Sequence, residues 1–484
     1  MSCQDVNRVA LLKRGFILII AVVLVAGQGF AQYPEDALRF ATPGLGVGAR
    51  SLGMGNAYTG VASDFSALYW NPAGLAQMQH GEFSIGLSHL NYSDKSTFFD
   101  AQQSYSLNAT HLNSLGVVFP VPVSRGSFVL AFGYDRQSEF TTGLSFNGFN
   151  SNTSIIQYWA PDGRPYPNDI TIAENLNLAE ADTLSGKFFS PIRNRVTQLG
   201  TVLEGGGLNN WSIGGAIDFA KNLSAGITVT YTSGSYKYER SYKEQDNGTV
   251  YTTFPYDFDQ LTLDENIESD ISGVNAKFGL MYRVPERFRL GFSVKTPTSF
   301  QVKEDFSTRA RSYFDNGDMR PSDGPFESLG SNEYDVNTPW VLSAGASVII
   351  RELVLSGDVE YTDWTQLEFK NANPEVLALN KDIREIFRAT ANLRGGAEYD
   401  IKDIGVRVRG GFIYNPSPYK GDPSTFDQKY VTGGLGVLLG ETSMVDLAYA
   451  RGWWKTFRSN YDQTSRVDED IATNNFILTF SFRF

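Results

Sequence analysis

Cysteine is nearly absent from this sequence: Cys3 is the only one in 484 residues. A chain with one thiol forms no internal disulfide, so its stability has another source. Histidine is almost as scarce, with only His80, His89 and His111. No Cys/His spacing of a metal site is present. There is no G-x-S-x-G elbow and no glycine–lysine phosphate loop. Isolated histidines are mostly surface residues, so the expectation is no catalytic residue, no metal and no cofactor. Basic residues are outnumbered 41 to 53, for a formal net charge of −12, which makes nucleic acid a poor partner. Long apolar runs are missing too. Beyond residue 31 nothing approaches the ~20 residues of a membrane-spanning helix. With a mean hydropathy of −0.24, that test alone reads the chain as soluble. The test excludes helices only, because in a membrane β-barrel just alternate residues face lipid.

The first residues do carry one apolar stretch. Lys13 and Arg14 precede Phe16 to Val25, and Gly29-Phe30-Ala31 places small residues at −3 and −1 before Gln32. Residues 1–31 therefore read as a secretory signal peptide, too short and wrongly flanked for a membrane anchor.

Strand periodicity is abundant. Fourteen segments alternate apolar and polar residues, beginning at Phe83, Leu115, Phe128, Trp211, Leu223, Val274, Phe288, Trp340, Leu353, Ala391, Ile404, Val431, Val445 and Phe476. Tight turns join the second to the third, the fourth to the fifth, and so on; the intervening connections are long and polar. Alternating short and long connections mark an outer-membrane barrel with short periplasmic turns. A soluble β-sandwich would not segregate its loops this way. The predicted fold is all-β: a transmembrane antiparallel β-barrel of 14 strands over residues 82–484, with its largest outer loop at 138–208. Both termini are then periplasmic. Hydrocarbon forbids open sheet edges, so the barrel closes. Tyr134, Trp211, Tyr231, Tyr282, Trp340, Tyr361, Tyr399 and Tyr414 fall at stripe ends, as interfacial girdles do.

A barrel this wide needs a filling or is a pore. Residues 32–81 are the candidate filling, a partly helical hatch. They contain glycine-rich "GLGVGARSLGMGNAY" and a short helix from Asp64, which Pro72 stops by forcing Asn71 out of the helical region. The apolar Phe65, Leu68 and Tyr69 would not remain wet in a free tail. On the inward register of three neighbouring strands lie Asp358, Glu360, Arg394, Glu398, Arg407 and Arg409. These read as an ion-pair lattice, or Arg407 and Arg409 as carboxylate partners on a transport path.

The stretch "GARSLGMGNAYTGVASDFSALYWNPAGLA", with Asn71, Pro72, Ala73 and Gly74, resembles the hatch of the FadL/TodX family of outer-membrane transport proteins. "RLGFSVKTPTSF", "LSGDVEYTDWTQLEF" and "GGLGVLLGETSMVDLAYARGWW" resemble its later strands in order. The resemblance implies passive uptake of long-chain fatty acids or other hydrophobic small molecules. Such cargo is captured among outer loops, gated by the hatch and released sideways at a kinked third strand. On that reading Phe140, Phe146, Phe149 and Trp159 are candidate ligand-binding residues, and Gly133 is a candidate lateral gate. The implied partners are a hydrophobic ligand, outer-membrane lipid and the barrel assembly machinery, with the barrel a monomer. The alternative is a FadL-like component of a Bacteroidetes-type protein secretion system with a shuttle or anchor role. A general porin is a third reading, against which the hatch speaks.

Overall fold

The structure is a computed structural model that describes residues 34–160, 172–182, 187–246, 248, 250–253 and 257–484. The signal peptide, and the first two hatch positions 32 and 33, lie outside the described residues.

Fourteen strands close on themselves. They are β1 (Glu82–Phe98), β2 (Ala101–Val121), β3 (Phe128–Glu139 with Thr142–Asn150), β4 (Val196–Ala220), β5 (Leu223–Gln245), β6 (Phe258–Val284) and β7 (Phe288–Lys295 with Ser299–Phe314). Then follow β8 (Phe326–Asn337 with Val341–Ile350), β9 (Leu353–Asp363), β10 (Ala389–Ile401), β11 (Val406–Asn415), β12 (Gln428–Leu439), β13 (Ser443–Ser459) and β14 (Arg466–Arg483). Each pairs antiparallel with its neighbours in sequence, and β14 returns to β1 through Phe83↔Phe482 and Leu87↔Leu478. Every strand is thus paired on both sides along the lower part of the wall, as an apolar solvent requires.

Every alternating stripe read from the sequence faces outward. Ile213, Phe278, Phe292, Leu435 and Phe480 are all solvent-exposed, which in water would be an aggregation surface and in a bilayer is the lipid contact. Trp211, Tyr231, Tyr282, Trp340, Tyr361 and Tyr399 are exposed in the same way.

The strands run well beyond the belt, and here the outer loops differ from expectation. The first outer connection is two residues, Phe99 and Asp100, with φ of 45° and 47°, a turn geometry that suits the twist of a hairpin. Of the expected loop 138–208, both flanks are strand, and only 151–195 lies between β3 and β4. Outside the membrane both faces of a strand meet water, so the apolar–polar alternation that marks strands fades. The wall is also uneven: β4, β5 and β6 have 25, 23 and 27 residues, whereas β9 and β11 have 11 and 10. On the low side the 13-residue helix Pro374–Ile386 lies between β9 and β10 and buries Val376 and Ile383. Asn373 caps it by accepting from the Val376 N–H at 2.9 Å.

Candidate functional site: the hatch, the chamber above it and the third strand

Residues 34–81 fill the lumen with three short helices: α1 (Pro34–Ala41), α2 (Ala49–Gly53) and α3 (Ala67–Trp70). A 3₁₀ turn, Pro72–Gln77, follows. Helix α3 is shorter than the run from Asp64 suggested. The Asp64 carboxylate instead folds the approach to it, accepting from the Ser66 N–H at 3.0 Å and the Ser66 hydroxyl at 2.6 Å. Asn71 is fully buried in an extended conformation. Its amide donates to the Thr59 carbonyl at 2.9 Å and to the Leu280 carbonyl of β6 at 3.2 Å. Its side-chain oxygen accepts from the Ala73 N–H at 3.2 Å, and Pro72 opens the 3₁₀ turn. Thus Asn71-Pro72-Ala73 is both a helix stop and a rivet to the wall. Gly74 has no room for a side chain, since a Cβ there would lie 2.2 Å from the Ala62 carbonyl oxygen.

The wall is shaped to receive these groups. A Cβ on Gly279 would lie 2.1 Å from the Asn71 side-chain oxygen, and one on Gly291 2.0 Å from the Thr59 carbonyl. Gly116 of β2 and Gly133 of β3 are ladder partners and together form a slot for the Phe65 ring, which a Cβ would meet at 1.9 and 2.3 Å respectively. Gly133 therefore stands in regular ladder, opposite Gly116 and Ser212, and serves hatch docking; the irregularity of β3 lies four residues further on.

The inward charges form the lattice, and the hatch joins it. Arg50 of α2 pairs with Glu398 at 2.7 Å, Glu398 with Arg409 at 2.7 Å, and Arg409 with Asp446 at 2.6 Å. The Arg409 side chain is fully buried, with Nε donating to Glu398 and Nη1 to Asp446. Arg407 sits apart, part-exposed, 3.4 Å from Asp400. Neither arginine reaches the apolar chamber, so their reading as ligand partners gives way to the lattice. Arg394 and Glu360 pair at 2.8 Å.

Above α2 and α3 the lumenal chamber is filled by a packed apolar cluster. Phe40 of α1 packs there against Phe140 and Tyr236 at ring distances of 6.3 and 6.2 Å, and those two meet at 5.6 Å. Phe300, Trp364 and Phe387 belong to the same cluster. Phe146 and Trp159 belong to a separate outer cluster with Phe98 and Ile156, and Phe149 is exposed. The four aromatic candidates are thus split, and only Phe140 reaches the chamber. Sequence reading placed residues 34–41 in the hatch but did not read them as a helix; the signal was the spacing of Ala37 and Phe40 on one face. Next to the chamber and α3 is a polar cavity of about 70 Å³ lined by Tyr69, Trp70, Gln137, Lys277, Lys295 and Trp364 among others.

The third strand leaves the wall here. Its ladder with β2 ends at Ser114↔Asp135, and its pairing with β4 shifts between Arg136 and Ser138, a bulge at Gln137. The Thr142–Asn150 segment continues along β4 but crosses inside the β1–β2 hairpin, where Ser96 donates to the Ser145 carbonyl. Residues 101–112 of β2 consequently pair with β1 alone. Side chains bridge the resulting seam. Glu139 receives Arg136 at 2.8 Å and lies 2.9 Å from the His111 imidazole, though out of line for a hydrogen bond. From inside, Gly44 N–H donates to the Gln137 carbonyl at 2.8 Å, and Ser138 donates to the Thr42 carbonyl at 3.0 Å.

A closed barrel with a greasy exterior, a lumen corked by its own N-terminal residues and an apolar cluster packed against the cork defines a plugged membrane channel. The chain belongs to the outer membrane protein transport protein family (OMPP1/FadL/TodX), whose model matches residues 208–484. The fold is similar to that of the Pseudomonas putida toluene transporter TodX, with 14% identity over 91% of this chain and 99% of that one and a TM-score of 0.55. It is also similar to a Pseudomonas aeruginosa FadL homologue, with 13% identity over 92% and 99% and a TM-score of 0.57. No curated protein matches the chain by sequence.

Proposed function

We propose that this protein admits hydrophobic small molecules, long-chain fatty acids or aromatic compounds, across the outer membrane by passive diffusion. The observation that supports this reading is the apolar cluster of Phe40, Phe140 and Tyr236 inside the lumen, adjoining the β3 seam. Cargo enters past the outer clusters, displaces Phe40 and slips sideways between β2 and β3. Lateral exit suits a greasy molecule, which gains ~0.8 kcal/mol for each methylene moved out of water. Because α1 is joined to the bulge through Thr42 and Gly44, moving Phe40 disturbs the contacts that hold the seam. The short turns, Gly81 and Phe484 share one end, which supports periplasmic termini.

The test compares the intact chain with a Gln137 deletion, which removes the bulge and lets β3 run straight along β2. Cells expressing the intact chain take up a labelled fatty acid or aromatic hydrocarbon faster than cells without it, and the deletion loses most of that gain. Uptake no faster than in cells lacking the protein would refute the reading.

A further inference from the structure

The outward charges above the belt divide into two kinds. On the tall side, cations face carboxylates across strands: Lys237 and Glu268 at 2.8 Å, Lys303 and Glu333 at 3.0 Å, Arg309 and Glu327 at 2.8 Å. On the arc β12–β13–β14–β1 most do not, although Arg466 pairs with Asp468 at 2.5 Å on β14. Arg451 donates to the neutral Asn474 at 2.9 Å, and Lys429 to the Ser424 carbonyl at 2.6 Å. Lys95 has no carboxylate partner among the described residues. Lys455 lies 3.4 Å from Asp470, both more than half exposed.

The ladder sets these groups side by side. Lys455 is opposite Asp470, Asp470 opposite Lys95, and Lys429 opposite Trp453. With strands about 4.8 Å apart, Lys95 and Lys455 stand about 10 Å from each other. Asn474 forms a neutral floor between them, accepting from the Tyr449 hydroxyl at 2.8 Å and donating to Asn91 at 2.9 Å. Directly below, Val431, Leu447, Tyr449 and Phe476 are exposed and apolar. The shelf therefore stands where hydrocarbon gives way to headgroups.

We propose that Lys95, Lys429, Arg451 and Lys455 bind a phosphate-bearing headgroup of an outer-leaflet lipid. Asp468 is taken by Arg466, so four neighbouring cations share the one remaining carboxylate, Asp470, and repel each other on a chain that is otherwise acidic; a phosphate relieves that repulsion. The Arg451 fork matches phosphate oxygens, and the exposed Trp453 beside it is the kind of residue that settles at an interface. A lipid is favoured over free phosphate because the apolar surface below the shelf holds its acyl chains at the height that brings the headgroup to these side chains.

The test is native mass spectrometry of the full-length chain in detergent, titrated with a phosphorylated glycolipid, its dephosphorylated counterpart and inorganic phosphate. The phosphorylated lipid binds. The triple variant Lys95→Gln, Arg451→Gln, Lys455→Gln weakens binding on the order of a hundredfold, at the attraction each basic group supplies near a membrane surface. Lys95→Arg with Lys455→Arg retains binding, and Lys237→Gln with Lys303→Gln and Arg309→Gln leaves it unchanged. If the triple variant does not fold, Arg451→Gln alone reads the same loss at roughly fivefold. Equal binding by the triple variant, equal binding of the dephosphorylated lipid, or full competition by inorganic phosphate would overturn the proposal.

Discussion

At the scale of single residues, the hatch is held by groups whose loss has distinct signatures. Asn71→Ala strands the Thr59 and Leu280 carbonyls and the Ala73 N–H in a buried site. Unsatisfied buried groups cost about 1–3 kcal/mol, so hydrogen exchange in residues 59–78 should quicken by one to two orders of magnitude while barrel strands keep their protection. Arg409→Met separates the two readings of that arginine. It leaves Asp446 uncompensated in a buried position, and breaking a buried pair costs about 3–5 kcal/mol. Thermal stability should fall, while affinity for a hydrophobic ligand stays within about twofold; a large affinity loss at unchanged stability would restore its role as a ligand partner. Asn71-Pro72-Ala73 was legible because proline acts locally on the residue before it. The lattice of Arg409 with Glu398 was legible from the inward register of adjacent strands; Asp446 was not, because only the barrel register brings β13 to it.

At the scale of elements, the strand count was legible because lipid imposes a strict two-residue period. Strand length was not: stretches such as Gln102–Asn108 have only Tyr105 and Leu107 on their apolar face, too few to show a period, and the first outer loop proved to be a two-residue turn. The kink of β3 was placed too early for a related reason. Gly133 looks like a break in a strand, yet its missing side chain makes room for Phe65, while Gln137, the actual bulge, has nothing distinctive in its sequence. The seam yields its own prediction. Glu139 is the acceptor shared by Arg136 and the Thr141 N–H, and it faces His111 across the seam. Glu139→Ala should loosen β2 and β3 there and raise hydrogen exchange in 107–113 and 136–141 at least tenfold, with no change in β9–β12. Unchanged exchange would mean that the seam is held by Thr42 and Gly44 alone.

At the scale of the whole molecule, barrel and hatch are stabilised by different means. The barrel closes through fourteen backbone ladders and needs no plug to complete them. The hatch is held by side chains, by glycine slots such as Gly116 with Gly133, and by the Arg50–Glu398 pair, and it joins the ladder only at its end. There Gly81 and Phe484 exchange two 3.0 Å backbone hydrogen bonds. Removing residues 34–78 should therefore leave a folded barrel. It would vacate the space now filled by Tyr58, Phe65, Leu68 and Trp70 and expose an inner wall carrying Glu398, Arg394 and Arg409. Water and ions would enter a lumen so lined. The expected result in planar bilayers is near-zero conductance for the intact chain and a rise of at least tenfold for the deletion, with the heat-sensitive gel mobility of a folded barrel retained in both. Substantial conductance from the intact chain would show that the N-terminal residues leave the lumen in a bilayer. A deletion that cannot fold would show that the hatch templates the barrel rather than corking it.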